Sequence, residues 1–334
     1  FFSMKNRVFK LFVILSFPVI AGALILSSCS KEGPAGVDGD VTCIVCHNTT
    51  NMDQINASFD TSIHGIGPTA ARGASVGCAK CHAHQGFVET VATGRDTSAA
   101  SIAIPLAFTC ETCHAGHVSF DFENDGQDYA LRTTEPVPLI MDGRTTVIDL
   151  GNNGNLCLNC HQPRRAAPTA DAEGNYNITS SHYGPHHGPQ GTILAGVGGY
   201  EFAGSEAYPT TNSAHMNTGC STCHMADVVG DTGGHTFFPN VTGCTDCHAD
   251  ATSMDIGGKM TEMEDLLNEL ALLLVDKGVL AGEVGAYHVV TGVFPVDVAA
   301  AFYNWDMVYE DRSEGVHNIA YTFALIQNSI EAMQ

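Results

Sequence analysis

The chain has 334 residues and a formal net charge of −22, from 36 acidic residues against 14 Lys plus Arg. That balance excludes nucleic-acid binding, which needs basic patches to neutralise phosphates, and describes a solvated acidic surface. Histidine is the unusual component: at 16 residues it outnumbers Lys and Arg together, and it is joined by 13 cysteines.

The N-terminal segment reads as an export signal, residues 1–28. Met4 reads as the start, with Phe1–Ser3 an upstream fragment. Lys5, Arg7 and Lys10 form a positive region ahead of the apolar run Leu11–Leu26, which Pro18 and Gly22 interrupt. The run ends in "LSSC", Leu26–Cys29, which resembles a lipobox and predicts a lipidated Cys29; ordinary signal cleavage nearby is the alternative. Residues 29–40, rich in Gly and acid, read as a linker between that anchor and the body of the protein.

Residues 41–250 carry one pattern six times: two cysteines three positions apart, then at once a histidine. The copies are Cys43, Cys46, His47; Cys78, Cys81, His82; Cys110, Cys113, His114; Cys157, Cys160, His161; Cys220, Cys223, His224; and Cys244, Cys247, His248. The two middle residues differ in every copy, so only the positions with reactive side chains repeat. Disulfides would not require a histidine after each pair. Paired CxxC zinc sites would ignore it. Two thiols at this spacing can form thioethers to the two vinyl groups of one haem, and the next histidine is then placed to ligate the iron. The reading is therefore six covalent haem c groups, and it leaves Cys29 as the one cysteine for lipidation.

Little protein remains per cofactor, so the porphyrins must supply much of the buried apolar surface. The expected fold is mainly α with extensive coil and little β-sheet, organised around a haem chain. Within the region, "DFENDG" sets Asp121, Glu123 and Asp125 at alternating positions before Gly126, an incomplete calcium loop whose twelfth position is Arg132. A hairpin is expected around Asp142–Gly143 in "VPLIMDGRTTVID". Residues 251–334 form a C-terminal helical segment expected to pack on the haem region. Met260, Met263, Leu266, Leu267, Leu270, Leu273 and Leu274 recur at helical spacing and Gly278 ends the run. A second helix is expected from Pro295 to about Glu310, and a third from Ser313 to about Met333.

Ten histidines lie outside the motifs, enough to supply every iron with a second imidazole; Met216 and Met225 are the other available donors. Four stretches carry a family resemblance: "HYGPHHGPQGTILAGVGGYEF" from His182, "SAHMNTGCSTCHM" from Ser213, "GGHTFFPNVTGCTDCH" from Gly233, and "EDRSEGVHNIAYTFALIQNSI" from Glu310. They resemble the multihaem cytochromes c related to the pentahaem nitrite reductases and to the surface nanowire cytochromes of metal-reducing bacteria. The resemblance implies distal ligation by His64, His117, His187, His215, His235 and His317, with His186 and His187 not distinguished. It places His317 on the last helix, beside an Asn318 expected to hold its ring. His84 could serve another iron than its neighbour's; His182 and His288 read as surface or propionate-contacting residues.

All six motifs end in His, whereas the nitrite reductases mark their catalytic haem with Lys. This predicts an electron carrier with low-potential, bis-His haems, exported as an outer-membrane lipoprotein or to the periplasm or cell surface. Its partners would be other redox proteins or extracellular acceptors, with self-assembly into a filament as a further option. A reductase of nitrite, hydroxylamine or a sulfur compound, with one open haem, is the alternative.

Overall fold

The computed structural model describes residues 42–119 and 129–334. Residues 1–40, read above as an export signal with Cys29 and a linker, and the stretch Asp121–Gly126 read as an incomplete calcium site lie outside the described residues. The chain falls into two compact units, up to Gln54 and from Ile55. In the first, α1 (Thr42–His47) carries Cys43, Cys46 and His47, all exposed. The Asn48 side chain starts α2 (Thr49–Thr61) by accepting the Asn51 N–H at 2.9 Å, an N-cap bond that satisfies a donor the helix leaves open.

The second unit begins with short helices in coil, each stopped by a specific residue. α3 (Ile63–Ile66) is one turn, opened by Ser62, whose hydroxyl accepts the Gly65 N–H at 3.0 Å, and closed by left-handed Gly67. α4 (Ala79–His82) and α5 (His84–Thr93) turn sharply at Ala83. They pack so closely that a Cβ on Gly86 would lie 2.3 Å from the Ala79 carbonyl oxygen. α6 (Cys110–Cys113) has a reciprocal capping pair, Thr109 and Thr112. The expected hairpin is present: β1 (Val137–Pro138) pairs antiparallel with β2 (Val147–Ile148). The Asp142 carboxylate closes it by accepting the N–H groups of Thr145 and Thr146 at 3.1 and 2.9 Å. α7 (Gly154–Leu158), β3 (Asn175–Ile178), α8 (Gln190–Ala195), α9 (Ala214–Thr218) and α10 (Cys220–His224) follow.

The longer helices are C-terminal: α11 (Lys259–Asp276), then, after β4 (Leu280–Ala281), β5 (His288–Val289) and β6 (Gly292–Pro295), come α12 (Val296–Asp311) and α13 (Ile319–Met333). The fold is mostly helical with extensive coil and little sheet, as the sequence predicts. Met263, Leu267, Leu270 and Leu274 of α11 are buried, the stripe read from their spacing. They join Phe302, Tyr303, Met307, Leu325 and Ile330 in the larger apolar core. That core also takes Ile178, Tyr183 and Ile193 from the motif-bearing region, so the terminal helices have no separate interior. A long-range antiparallel pair, β3 with β6, binds the two stretches of chain together from Asn175↔Pro295 to Ile178↔Gly292. Polar contacts add to it. The Tyr303 hydroxyl donates to the Arg165 carbonyl at 2.6 Å, and buried Asn304 bonds both backbone groups of Tyr200 at 2.7 and 2.8 Å.

One boundary differs from expectation. α13 starts at Ile319, not after Ser313, and Asn318 caps it by accepting the Tyr321 N–H at 3.2 Å. Residues 312–318 form a tight loop instead, with Arg312, Glu314 and Gly315 at φ of 62°, 47° and 89°. His317 therefore sits on a loop, and Asn318 is committed to the cap and to the Leu194 carbonyl at 3.3 Å rather than to the ring.

Leu270 is fully buried where α11 meets the other two long helices. Leu270→Ala should cost about 2–5 kcal/mol in unfolding free energy, measured by denaturant titration, because the site cannot collapse around the cavity.

Candidate functional site

The repeated motif folds the same way wherever its backbone bonds are recorded. The N–H of the histidine donates to the carbonyl of the first cysteine four residues back. The distances are 3.1 Å for His82, 2.9 Å for His114, 3.0 Å for His161 and 2.8 Å for His248. Cys220–His224 is likewise helical as α10. One helical turn brings residues three and four apart onto one face. The two sulfurs and the imidazole of a motif therefore point the same way. None of the twelve described cysteines is in a disulfide.

Four motif histidines face an imidazole from elsewhere in the chain. His161 and His64 have ring centres 6.1 Å apart, His82 and His186 6.2 Å, His114 and His235 6.3 Å, and His224 and His317 6.1 Å. Aromatic pairs in general span about 4.5–7 Å, so one such distance carries little. Four pairs between 6.1 and 6.3 Å, each with one motif member, carry more. A metal binds an imidazole nitrogen at about 2 Å, and that nitrogen lies about 1 Å from the ring centre, so two rings on one metal have centres about 6 Å apart.

The far side of each ring supports the same use. Nδ1 of His114 lies 2.8 Å from the Tyr129 carbonyl, Nδ1 of His224 2.8 Å from the Phe237 carbonyl, and Nδ1 of His317 2.7 Å from the Asp311 carboxylate. These oxygens only accept, so Nδ1 must carry the proton and Nε2 keeps its lone pair for a metal. The Gln190 amide oxygen lies 3.0 Å from His161 Nδ1, while its Nε2 donates to the Glu310 carbonyl at 3.0 Å. For His82 the partner is the Thr69 hydroxyl at 3.0 Å.

Electrostatics keep most of these rings neutral, the form that ligates a metal. Burial lowers the pKa of His64 to about 4, helped by His161 and His224. Burial and then Arg164 bring His186 to about 4. His82, His161, His224 and His235 are lowered too, burial being the main cause in each. His317 moves the other way. Burial, its largest single influence, would lower it, but the charge and hydrogen bond of Asp311 together outweigh burial.

Backbone strain gathers at the same places. Six described residues other than glycine have positive φ: Ala130, Arg144, His186, Phe237, Arg312 and Glu314. Arg144 belongs to the β1–β2 turn. The other five lie in or beside the segments that present His186 and His317 or supply the carbonyls for His114 and His224. Such conformations cost about 1–3 kcal/mol each and persist where the surroundings impose them.

The remaining candidates are placed as follows. His215 is half-buried, its Nδ1 2.6 Å from the Val316 carbonyl. His187 is exposed and meets Glu310 Oε2 at 2.9 Å; it is His186, 5.0 Å away, that faces His82. His117 is half-buried, and His47 and His248 are exposed. His84 bonds the Thr112 hydroxyl at 2.8 Å, and His182 and His288 are exposed. Asp311, Gln190 and the carbonyls of Tyr129, Phe237 and Val316 carry no sequence signal of their own.

The cysteines also show which motifs are neighbours. The Cys81 thiol raises the pKa of Cys160, and the Cys157 thiol that of Cys220, with burial second in each. Cys113 also feels Cys157, and Cys223 feels Cys244 and Cys247. The fourth motif thus adjoins the second and the fifth, its Cys160 Sγ lying 3.6 Å from the Lys80 carbonyl, while the third motif lies near the fourth and the sixth near the fifth.

Among solved structures, the chain is similar to the crystal structure of the outer cell wall cytochrome OcwA. The TM-score is 0.53 at 16% identity, over 84% of this chain and 50% of that one, so the chain spans about half that structure's length. No family model and no curated protein matches the sequence. At this identity the likeness shows the fold, and with six CxxCH motifs mounted on it the chain has the fold of a multihaem cytochrome.

Proposed function

We propose that the chain is an exported hexahaem cytochrome c that carries electrons between the cell envelope and an outside acceptor. The observation that carries this reading is the set of four imidazole pairs, each spaced for a metal between the rings. The residues fit haem c: paired thiols and an imidazole on one helical turn, a second imidazole opposite, and acceptors behind His114, His161 and His224 that leave Nε2 of the neutral ring free for iron. When bound, each haem supplies an iron that exchanges one electron between Fe(III) and Fe(II).

The chain's own groups do the rest. His161 with His64, His82 with His186, His114 with His235, and His224 with His317 would hold the iron from both sides when the haems are bound, which would leave no position for a substrate there. His186 takes the role the sequence gives to His187. His47 and His248 serve the first and sixth motifs as proximal ligands, and His117 and His215 remain their candidate distal partners. The nearness of the second, third, fourth, fifth and sixth motifs suits a relay through their haems. Export, the lipid anchor at Cys29, the extracellular acceptor and filament assembly belong to this reading and rest on the N-terminal sequence and the resemblance.

A second reading, a reductase with one open haem, has one observation in its favour. His248 is exposed, and among the described residues no imidazole is recorded facing it. The ferric spectrum separates the two. Low-spin haem throughout at neutral pH supports the carrier. A stoichiometric high-spin haem, together with turnover of nitrite or hydroxylamine, supports the reductase.

The ligand sets are separately testable. His186→Ala should leave six haems attached and turn one high-spin, whereas His187→Ala should leave the spectrum unchanged. The reverse result would return the ligand role to His187. His317→Ala should likewise free one axial position while keeping all haems, and should make residues 312–334 more sensitive to protease, since a metal bond pinning the loop before α13 is lost.

A further inference from the structure

Among the rings that face one another, His317 differs from the rest in what stands behind it. The back nitrogens of His114, His161 and His224 meet neutral carbonyl or amide oxygens, and that of His82 a hydroxyl. Behind His317 stands a carboxylate, Asp311 Oδ1 at 2.7 Å. That side chain is fully buried. Its other recorded partner is the Ser313 hydroxyl, which donates to Oδ2. No ion pair with Lys or Arg is recorded for it among the described residues; nearby Arg312 turns instead to Glu310, at 3.5 Å.

A buried carboxylate without a cation is costly, and proteins retain one where something else supplies positive charge. An imidazole alone would do so only by taking a second proton. A ferric centre on that imidazole supplies the charge directly. The loop is shaped to keep the pair together. The strained backbone of Arg312 and Glu314 folds residues 312–318 back on the end of α12, and the His317 N–H donates to the Ser313 hydroxyl at 3.2 Å. The charge of Asp311 is also felt at His161 and His224, but only His317 bonds it.

We propose that Asp311 is a positioning residue that fixes the redox level of the centre held by His224 and His317, making it the lowest in potential of the four paired centres. The proposal rests on the reading that His317 is an axial ligand. The carboxylate draws the Nδ1 proton towards itself, makes the ring a stronger donor and stabilises the oxidised, more positive centre over the reduced one. The consequence is a step within the relay: of the four paired centres, the one at the fifth motif is where an electron is held least readily.

Asp311→Asn keeps the shape and removes the charge. In a spectroelectrochemical titration of the full haem-loaded chain, one midpoint should rise by at least a tenfold change in its one-electron equilibrium constant, about 59 mV, with all haems low-spin. Asp311→Glu should restore most of the shift. If Asp311→Asn does not assemble, Ser313→Ala replaces it. Losing that donor concentrates the carboxylate's charge on the His317 bond and should lower the same midpoint; a rise or no change overturns the proposal. If His317→Ala gives a high-spin haem but Asp311→Asn moves no midpoint, or turns a haem high-spin, the charge role of Asp311 is wrong and the ligand reading stands. If His317→Ala leaves the low-spin spectrum intact, the ligand reading itself fails and the proposal with it.

Discussion

The structure depends on four pairs of imidazoles whose ring centres lie 6.1–6.3 Å apart. At that spacing the two rings of a pair cannot hydrogen-bond each other, and all eight rings are half-buried. Four such pairs without a metal would be a large polar cost with little return. With a metal between the rings the same geometry becomes a strong cross-link. His64 to His161 joins the start of the second unit to its middle, and His224 to His317 ties the loop before α13 to the fifth motif. In a chain with mostly one-turn helices outside the C-terminal segment, such links, with covalently bound haem, would do work that a larger domain leaves to its core.

The second anchor is the apolar cluster of α11, α12 and α13, and the C-terminal end of α12 is where the two anchors meet. Within two residues, Glu310 pairs with His187, its carbonyl holds the Gln190 amide that orients His161, and Asp311 holds His317. Packing in the helices is thereby converted into ring orientation at two of the pairs. Strain is localised at the same place, in Arg312 and Glu314, and at His186 and Phe237 in the other presenting loops.

Much of this was legible in the sequence where it depends on local spacing. The twelve motif cysteines and six motif histidines, the buried stripe of α11 and the hairpin at Asp142–Gly143 each follow from residues a few positions apart. Which of His186 and His187 faces His82 is not a local matter. It is decided by a backbone at φ 80° and by Gly184, where a Cβ would strike the Asp306 carboxylate, so the turn is set by a helix more than a hundred residues away. The end of the third helix was legible and its start was not. The sequence sets the start at Ser313, but Asp311, Ser313 and His317 bond one another and hold the loop open until Asn318 caps the helix. The oxygens behind the rings are mostly backbone carbonyls, which every residue has.

The most direct test is a structure of the haem-loaded protein with iron located by anomalous scattering. The account predicts an iron midway between the rings of His161 and His64, of His82 and His186, of His114 and His235, and of His224 and His317. An iron displaced from any of these midpoints, with a water or another side chain in place of the second imidazole, would contradict it.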